Sequence, residues 1–236
     1  MQKLGQHPNI VELLSYACEA KESFAGALVL EYAHLGDLAG RIVAMHKRGV
    51  DSSVQKCAQK YFNHLVRAIR HCHDHNIAHL DVKPNNCLLG GSDGADILRL
   101  ADFGWARDLQ YDVAERDFGT PFWRCPERKP DKAADIWSCG CVLFAMLDGT
   151  IAFTEQAPPW PPMQGTTLES LERACFDSMP WWEYQLPATF PPEAADLVRK
   201  TLQPRRSRID VAEVERHEWM RQLEADMQAD TEESDA

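Results

Sequence analysis

The run His79-Leu80-Asp81-Val82-Lys83-Pro84-Asn85-Asn86-Cys87-Leu88-Leu89 sets an imidazole, a carboxylate, an ammonium and a carboxamide close together and then turns apolar. A second run answers it, Leu98-Arg99-Leu100-Ala101-Asp102-Phe103-Gly104, with turn-forming Gly90-Gly91-Ser92-Asp93-Gly94 between them. The pattern predicts a hairpin of strands Cys87–Leu89 and Ile97–Leu100. Antiparallel pairing brings the outer ends of a hairpin together. Asn86 before the first strand and Asp102 after the second are therefore expected to face one small volume. Carboxylate and carboxamide oxygens suit a hard cation such as Mg²⁺. Asp81 stands where a base beside that metal is wanted.

These residues resemble the catalytic core of the eukaryotic protein kinases, in motif, in order and in separation. The resemblance covers nearly the whole chain. It implies that Asp81 orients and deprotonates a substrate hydroxyl and that Lys83 neutralises charge on the transferred phosphoryl group. It also implies that Asn86 and Asp102 hold Mg²⁺ against the phosphates of ATP. A metal-dependent phosphohydrolase would use the same ligand types, but it gives no role to Lys83 or to Phe103-Gly104. The implied fold is α+β: a mostly helical large lobe with a two-stranded remnant of the small-lobe sheet, the Gly-rich loop and its helix missing. Residues 1–33 are read as that remnant with its hinge, 34–222 as the large lobe and 223–236 as an acidic tail.

The totals fit. The chain has 236 residues, 44% of them hydrophobic, enough for one large domain or two small ones. With 36 acidic against 25 basic residues the net charge is −11, which argues against nonspecific nucleic-acid binding and favours basic protein partners. The 8 cysteines lack C-x-x-C spacing and read as reduced. There is no apolar leader at Met1–His7, and the longest apolar run, Ile136–Leu147, is too short and interrupted to span a bilayer. A cytoplasmic or nuclear protein, without membrane or nucleic-acid partners, is expected.

Along the chain, Ile10–Cys18 and Ala25–Tyr32 read as paired strands, entered through His7-Pro8-Asn9-Ile10. By resemblance, Glu31-Tyr32-Ala33 is the hinge that pairs with adenine, Leu30 and Leu88 line the adenine pocket, and Asp37 lies near the ribose and the substrate. The family's Gly-rich strands, strand lysine and helix glutamate would all precede His7. Lys3 and Lys21 are the only lysines before the hinge, and neither has a Val-Ala-x-Lys setting. The chain is then either a piece of a longer kinase or a divergent protein without ordinary turnover, a pseudokinase or interaction scaffold.

Ser52–His75 predicts a helix, with Ser52 and Gln55 as a capping box and Tyr61, Phe62, Leu65, Ile69 and Cys72 on one face. The imidazoles at 71, 73 and 75 are expected at its exposed end rather than around a metal. Asp135–Asp148 is apolar on nearly every side and predicts a buried helix. Leu168–Phe176 and Pro192–Leu202 predict shorter ones, separated by the packing residues Trp181, Trp182 and Tyr184. The proline-rich Ala157–Met163 predicts an irregular loop.

The resemblance adds finer expectations. His79 packs beneath Asp102-Phe103-Gly104, and Asp135 caps amides of the catalytic loop. Thr120 links Asp81 to Lys83, and the pair Lys83 and Thr120 points to Ser/Thr acceptors. Leu80 replaces an arginine that grips phosphate, so activity is expected without phosphorylation of the segment Asp102–Glu127. Arg208 is expected to pair with Glu127 while Arg205 and Arg206 stay solvated. Breaking a buried pair of that kind costs about 3–5 kcal/mol.

Overall fold

A computed structural model describes residues 1–18, 26–47, 49, 52–91, 96–111, 118–127, 129–150, 152 and 186–221. The expected helix at 168–176, the proline-rich loop, Trp181, Trp182, Tyr184 and the acidic tail lie outside the described residues.

Among the described residues three two-stranded antiparallel sheets form. Strand β1 (Leu13–Cys18) pairs with β2 (Gly26–Leu30), Tyr16 opposite Leu28 and Leu13 opposite Leu30, with an irregularity between Leu13 and Ser15. Strand β3 (Ile77–Ala78) pairs with β6 (Arg107–Asp108). Strand β4 (Cys87–Gly90) pairs with β5 (Ile97–Leu100), Cys87 opposite Leu100 and Gly90 opposite Ile97. The expected hairpin is present. The first strand is shorter than expected, because Asn9 to Val11 bond to β5 instead of β2: Leu100 N–H donates to the Asn9 carbonyl and Val11 N–H to the Leu100 carbonyl.

Five helices surround these ribbons among the described residues: α1 (Leu38–His46), α2 (Ser52–Asp74), α3 (Lys132–Asp148), α4 (Pro192–Thr201) and α5 (Val211–Glu215). Sequence reading missed α1. It is capped by Asp37, whose side chain accepts the Gly40 N–H, and it buries Leu38 and Ile42, one turn apart. Ser52 is the first helical residue of α2 rather than its cap, so the expected capping box is not formed there. Helix α3 starts a turn earlier than expected, because Asp131 accepts the Ala134 N–H and caps it.

Helices α2 and α3 pack against each other, α2 also against β5, and α3 also against α4. Tyr61, Phe62, Leu65, Ile69 and Cys72 of α2 join Ile136 to Leu147 of α3 in one buried core. Gly140 is where α3 meets α4 most closely: a Cβ there would lie 2.3 Å from Thr201 Oγ1. Cys72, Cys87, Cys125, Cys139 and Cys141 are buried free thiols and Cys57 is half-buried. Burial pushes Cys87 and Cys125 up to about 12. No helix among the described residues is long and apolar enough to cross a membrane.

Candidate active site

Helix α2 delivers the chain through β3 to His79, where the backbone turns sharply and Leu80 takes φ +66°. A non-glycine residue holds that conformation only when its surroundings impose it. Asp135, fully buried in α3, does so: Oδ2 accepts the His79 N–H at 2.9 Å and Oδ1 the Leu80 N–H at 2.7 Å. His73 Nε2 meets the same Oδ2 at 2.9 Å. His73 is therefore not at an exposed helix end, as the histidine-rich sequence suggested; only 3% of it is exposed. Its spacing from Phe62, Val66 and Ile69 carries the signal, since all four recur on the buried face of α2.

His79 is held below the ordinary imidazole value by burial. Its Nε2 donates to the Ala101 carbonyl at 2.9 Å while Nδ1 accepts the Asp81 N–H at 3.3 Å, a neutral tautomer that ties both ends of the site together. The ring stands edge-on to Phe103 at 4.8 Å.

Asp81 is buried and its carboxylate is fixed from three sides. Thr120 Oγ1 donates to Oδ1 at 2.7 Å, Lys83 Nζ to Oδ2 at 2.8 Å, and Asn86 Nδ2 to Oδ2 at 2.9 Å. Lys83 Nζ also donates to Thr120 Oγ1 at 2.7 Å. Gly119, at φ +71°, brings Thr120 in close: a Cβ at Gly119 would lie 2.5 Å from the Leu80 carbonyl oxygen.

Asn86 sits in a 3-10 turn (Pro84–Asn86), and its carbonyl accepts the Ala101 N–H at 2.8 Å, locking the start of β4 to the end of β5. With Nδ2 bonded to Asp81, its amide oxygen is left for another partner. Asp102, at φ +58°, uses Oδ1 for the Gly104 N–H at 3.2 Å, leaving Oδ2 without a hydrogen bond among the described residues. Asn86 and Asp102 line one cavity of about 680 Å³, walled on its apolar sides by Leu28 and Leu30 of β2 and by Leu88 of β4. Two hard oxygen donors on one wall fit a divalent cation such as Mg²⁺.

Glu31, Ala33 and Asp37 do not line that cavity. Glu31 pairs with Arg99 at 2.7 Å and its N–H donates to the Glu12 carbonyl at 3.0 Å. Ala33 packs on Gly90. Asp37 caps α1 and accepts Asn85 Nδ2 at 3.1 Å. Tyr16, Leu13 and Phe103 line the cavity and were not singled out as site residues. The cross-strand pairing of Tyr16 with Leu28 is the signal that would have found Tyr16.

Below the site, Arg208 Nη2 meets Glu127 Oε1 at 2.7 Å, and Nη1 donates to the Ala133 carbonyl at 2.7 Å. Arg205 is exposed, as expected, and also paired: its guanidinium meets Asp131 and its N–H donates to Glu127 at 2.6 Å.

The protein kinase domain family matches residues 1–220. The chain is 30% identical over 229 residues to CBL-interacting serine/threonine-protein kinase 9 of Arabidopsis thaliana, covering 93% of this chain and 46% of that protein. It is 32% identical over 229 residues to CBL-interacting serine/threonine-protein kinase 24 of the same plant, covering 94% and 46%. It is 30% identical over 233 residues to CBL-interacting protein kinase 20 of Oryza sativa subsp. japonica, covering 94% and 46%. The chain thus spans about half the length of the curated relatives it matches. A family match over this length, on a chain whose described residues carry the loop and hairpin above, makes it a member of the protein kinase family, among relatives of the serine/threonine type.

Proposed function

We propose that this chain carries the phosphoryl-transfer machinery of a protein serine/threonine kinase. The observation that supports the reading best is the carboxylate of Asp81. It is buried, aimed by Lys83, Thr120 and Asn86, and linked through Asn86 to the cavity that Asp102 closes. A base fixed by three donors takes a proton from a substrate hydroxyl without first reorganising, and such positioning supplies much of the catalysis in this reaction class. Lys83 stands beside it as the cation for a migrating phosphoryl group. Leu30 and Leu88 offer apolar surfaces to a planar base, and Asn86 and Asp102 offer oxygens to Mg²⁺. Bound ATP and Mg²⁺ would supply the transferable phosphoryl group and the charge that stabilises its transfer. The acceptor is a protein Ser or Thr hydroxyl, and the net charge of −11 favours a basic substrate.

One observation favours a second reading, a nucleotide-binding scaffold with poor turnover. The cavity wall contains no lysine or arginine among the described residues; Asp102 is its only charged side chain. A triphosphate there would depend on the divalent ion for its counter-charge.

The test is Mg·ATP binding by calorimetry together with phosphate incorporation into a basic Ser/Thr peptide pool. The kinase reading expects both in the wild type. In Asp81→Asn it expects binding retained with incorporation down about 10²–10⁴-fold; in Asp102→Asn it expects Mg²⁺-dependent binding lost. Binding without incorporation in the wild type selects the scaffold. No Mg·ATP binding at all defeats both.

A further inference from the structure

Outside this site, His7, His71 and His75 form a column. The His7 and His71 rings stack with centroids 4.6 Å apart, 28° from parallel, and His71 meets His75 at 4.4 Å. The hydrogen bonds dictate where the protons sit. Asn9 N–H donates to His7 Nδ1 at 3.2 Å, so that nitrogen must be bare. His71 Nε2 donates to the Leu4 carbonyl at 2.7 Å, and His75 Nδ1 to the His71 carbonyl at 2.8 Å.

The charges around the column oppose protonation of His7. Arg67 and His71 face it from α2, and burial, then His71, then Arg67 hold it below the ordinary imidazole value. Of the charges on the elements that the segment touches, Lys3 pairs with Asp108 of β6, Arg70 with Asp74 and Glu215, and Arg99 of β5 with Glu31. Among the described residues no carboxylate pairs with the column.

The column fastens a segment that reaches the cavity. Asn9 Nδ2 donates to the Leu98 carbonyl at 3.0 Å, and Asn9 and Val11 bond to Leu100, just ahead of Asp102. Met1 and Gln2 stand in the cavity wall itself.

We propose that the His7–His71–His75 column is a proton-operated clasp: with His7 neutral, it seats residues 1–11 on α2 and β5; with His7 protonated, it releases them and loosens the strand that positions Asp102. Seated His7 resists a proton that the released ring accepts freely. The seating free energy is therefore fully present above the ordinary value of 6.5 and falls as pH drops through the lowered value. The effect on nucleotide affinity rests on the kinase reading; the clasp itself does not.

Amide hydrogen exchange on the full chain, without nucleotide, tests it between about pH 5.5 and 7.5. After correction for intrinsic rates, opening at Val11 and Leu100 should rise with falling pH, by up to about tenfold per pH unit, the limit for one linked proton. Val142 in α3 should respond less. His7→Asn keeps an acceptor for the Asn9 N–H and cannot titrate, so in a His64→Asn background, which removes the other imidazole bonded to β5, its opening should be independent of pH. Wild-type opening at Val11 and Leu100 that ignores pH, or a His7→Asn protein that keeps the wild-type dependence, overturns the clasp. Should His7→Asn fail to fold, NMR titration of the wild-type rings decides: a His7 that titrates below the free-imidazole value supports the clasp, and one at or above it overturns it. Weaker Mg·ATP binding at acid pH, absent in His7→Asn, would extend the clasp to the cavity.

Discussion

Asp135, with no exposed surface, commits both carboxylate oxygens to the loop that carries Asp81, whereas across the cavity every residue of β2 is exposed. Leu28 is 63% exposed and Tyr16, its partner across the ribbon, 57%. The side next to Asp81 is a dense hydrogen-bond network set into an apolar core. The side that offers apolar cover is an isolated two-stranded ribbon, an arrangement that is marginal by itself. On the proposed reading, proton transfer needs groups held to within a fraction of an ångström, which is what the dense wiring on that side would supply. An apolar wall needs only area.

The contrast ranks the expected effects of perturbation. Asp135→Ala should act most strongly. It strands two buried amide N–H groups and the His73 ring, a cost of about 3–5 kcal/mol, read as a lowered urea midpoint. A loss under about 1 kcal/mol would show that the loop holds its shape unaided. Arg208→Leu comes next. It removes the partner of Glu127, the bond to the Ala133 carbonyl and the cation over Trp137, 5.0 Å from the ring. Glu127 keeps some contact with water and still accepts the Arg205 N–H, so about 2–3 kcal/mol is expected, or aggregation on heating. An unchanged melting temperature would reject the pair as a support of the site.

Acid should act at His64, whose Nδ1 accepts the Leu98 N–H of β5 at 3.2 Å. Burial, with Lys60 and Arg67, lowers its pKa from 6.5 to about 4. Its contribution is therefore present above pH 6.5 and is lost as pH falls toward about 4. The expected loss is on the order of 2 kcal/mol after allowance for its partial exposure, and His64→Asn should flatten that part of the denaturation profile. The smallest effect belongs to the ribbon. Leu28→Ser should change global stability by no more than about 0.5 kcal/mol while weakening any ligand held under β2. A loss above about 1.5 kcal/mol would mean that the ribbon belongs to the cooperative core and would break the contrast.

The same division explains what could be read from the residues alone. The β4–β5 hairpin, the buried α3, the Asp135 cap on the catalytic loop, the Thr120 bridge and the Arg208–Glu127 pair were all legible. Each rests on a local pattern or on spacing that the resemblance to kinases makes specific. Helix α1 was not, because Asp37 was read only for its place near the ribose and its capacity to cap a helix was not weighed. His73 was misplaced because a histidine-rich helix end looks solvated until its spacing on the apolar face is followed. Arg205 is exposed as its basic run suggested, but its pairing with Asp131 was hidden because that partner is distant in sequence.

The sulfur atoms described with the core have a practical consequence. Thiols pushed up to about 12, as at Cys87 and Cys125, carry almost no thiolate at neutral pH, and burial denies an electrophile access to them. Cys57 on α2 is the half-buried one among the six described thiols, so of these six a mild alkylating dye should reach that helix first. Labelling at Cys72, Cys87, Cys125, Cys139 or Cys141 marks the moment the interior opens.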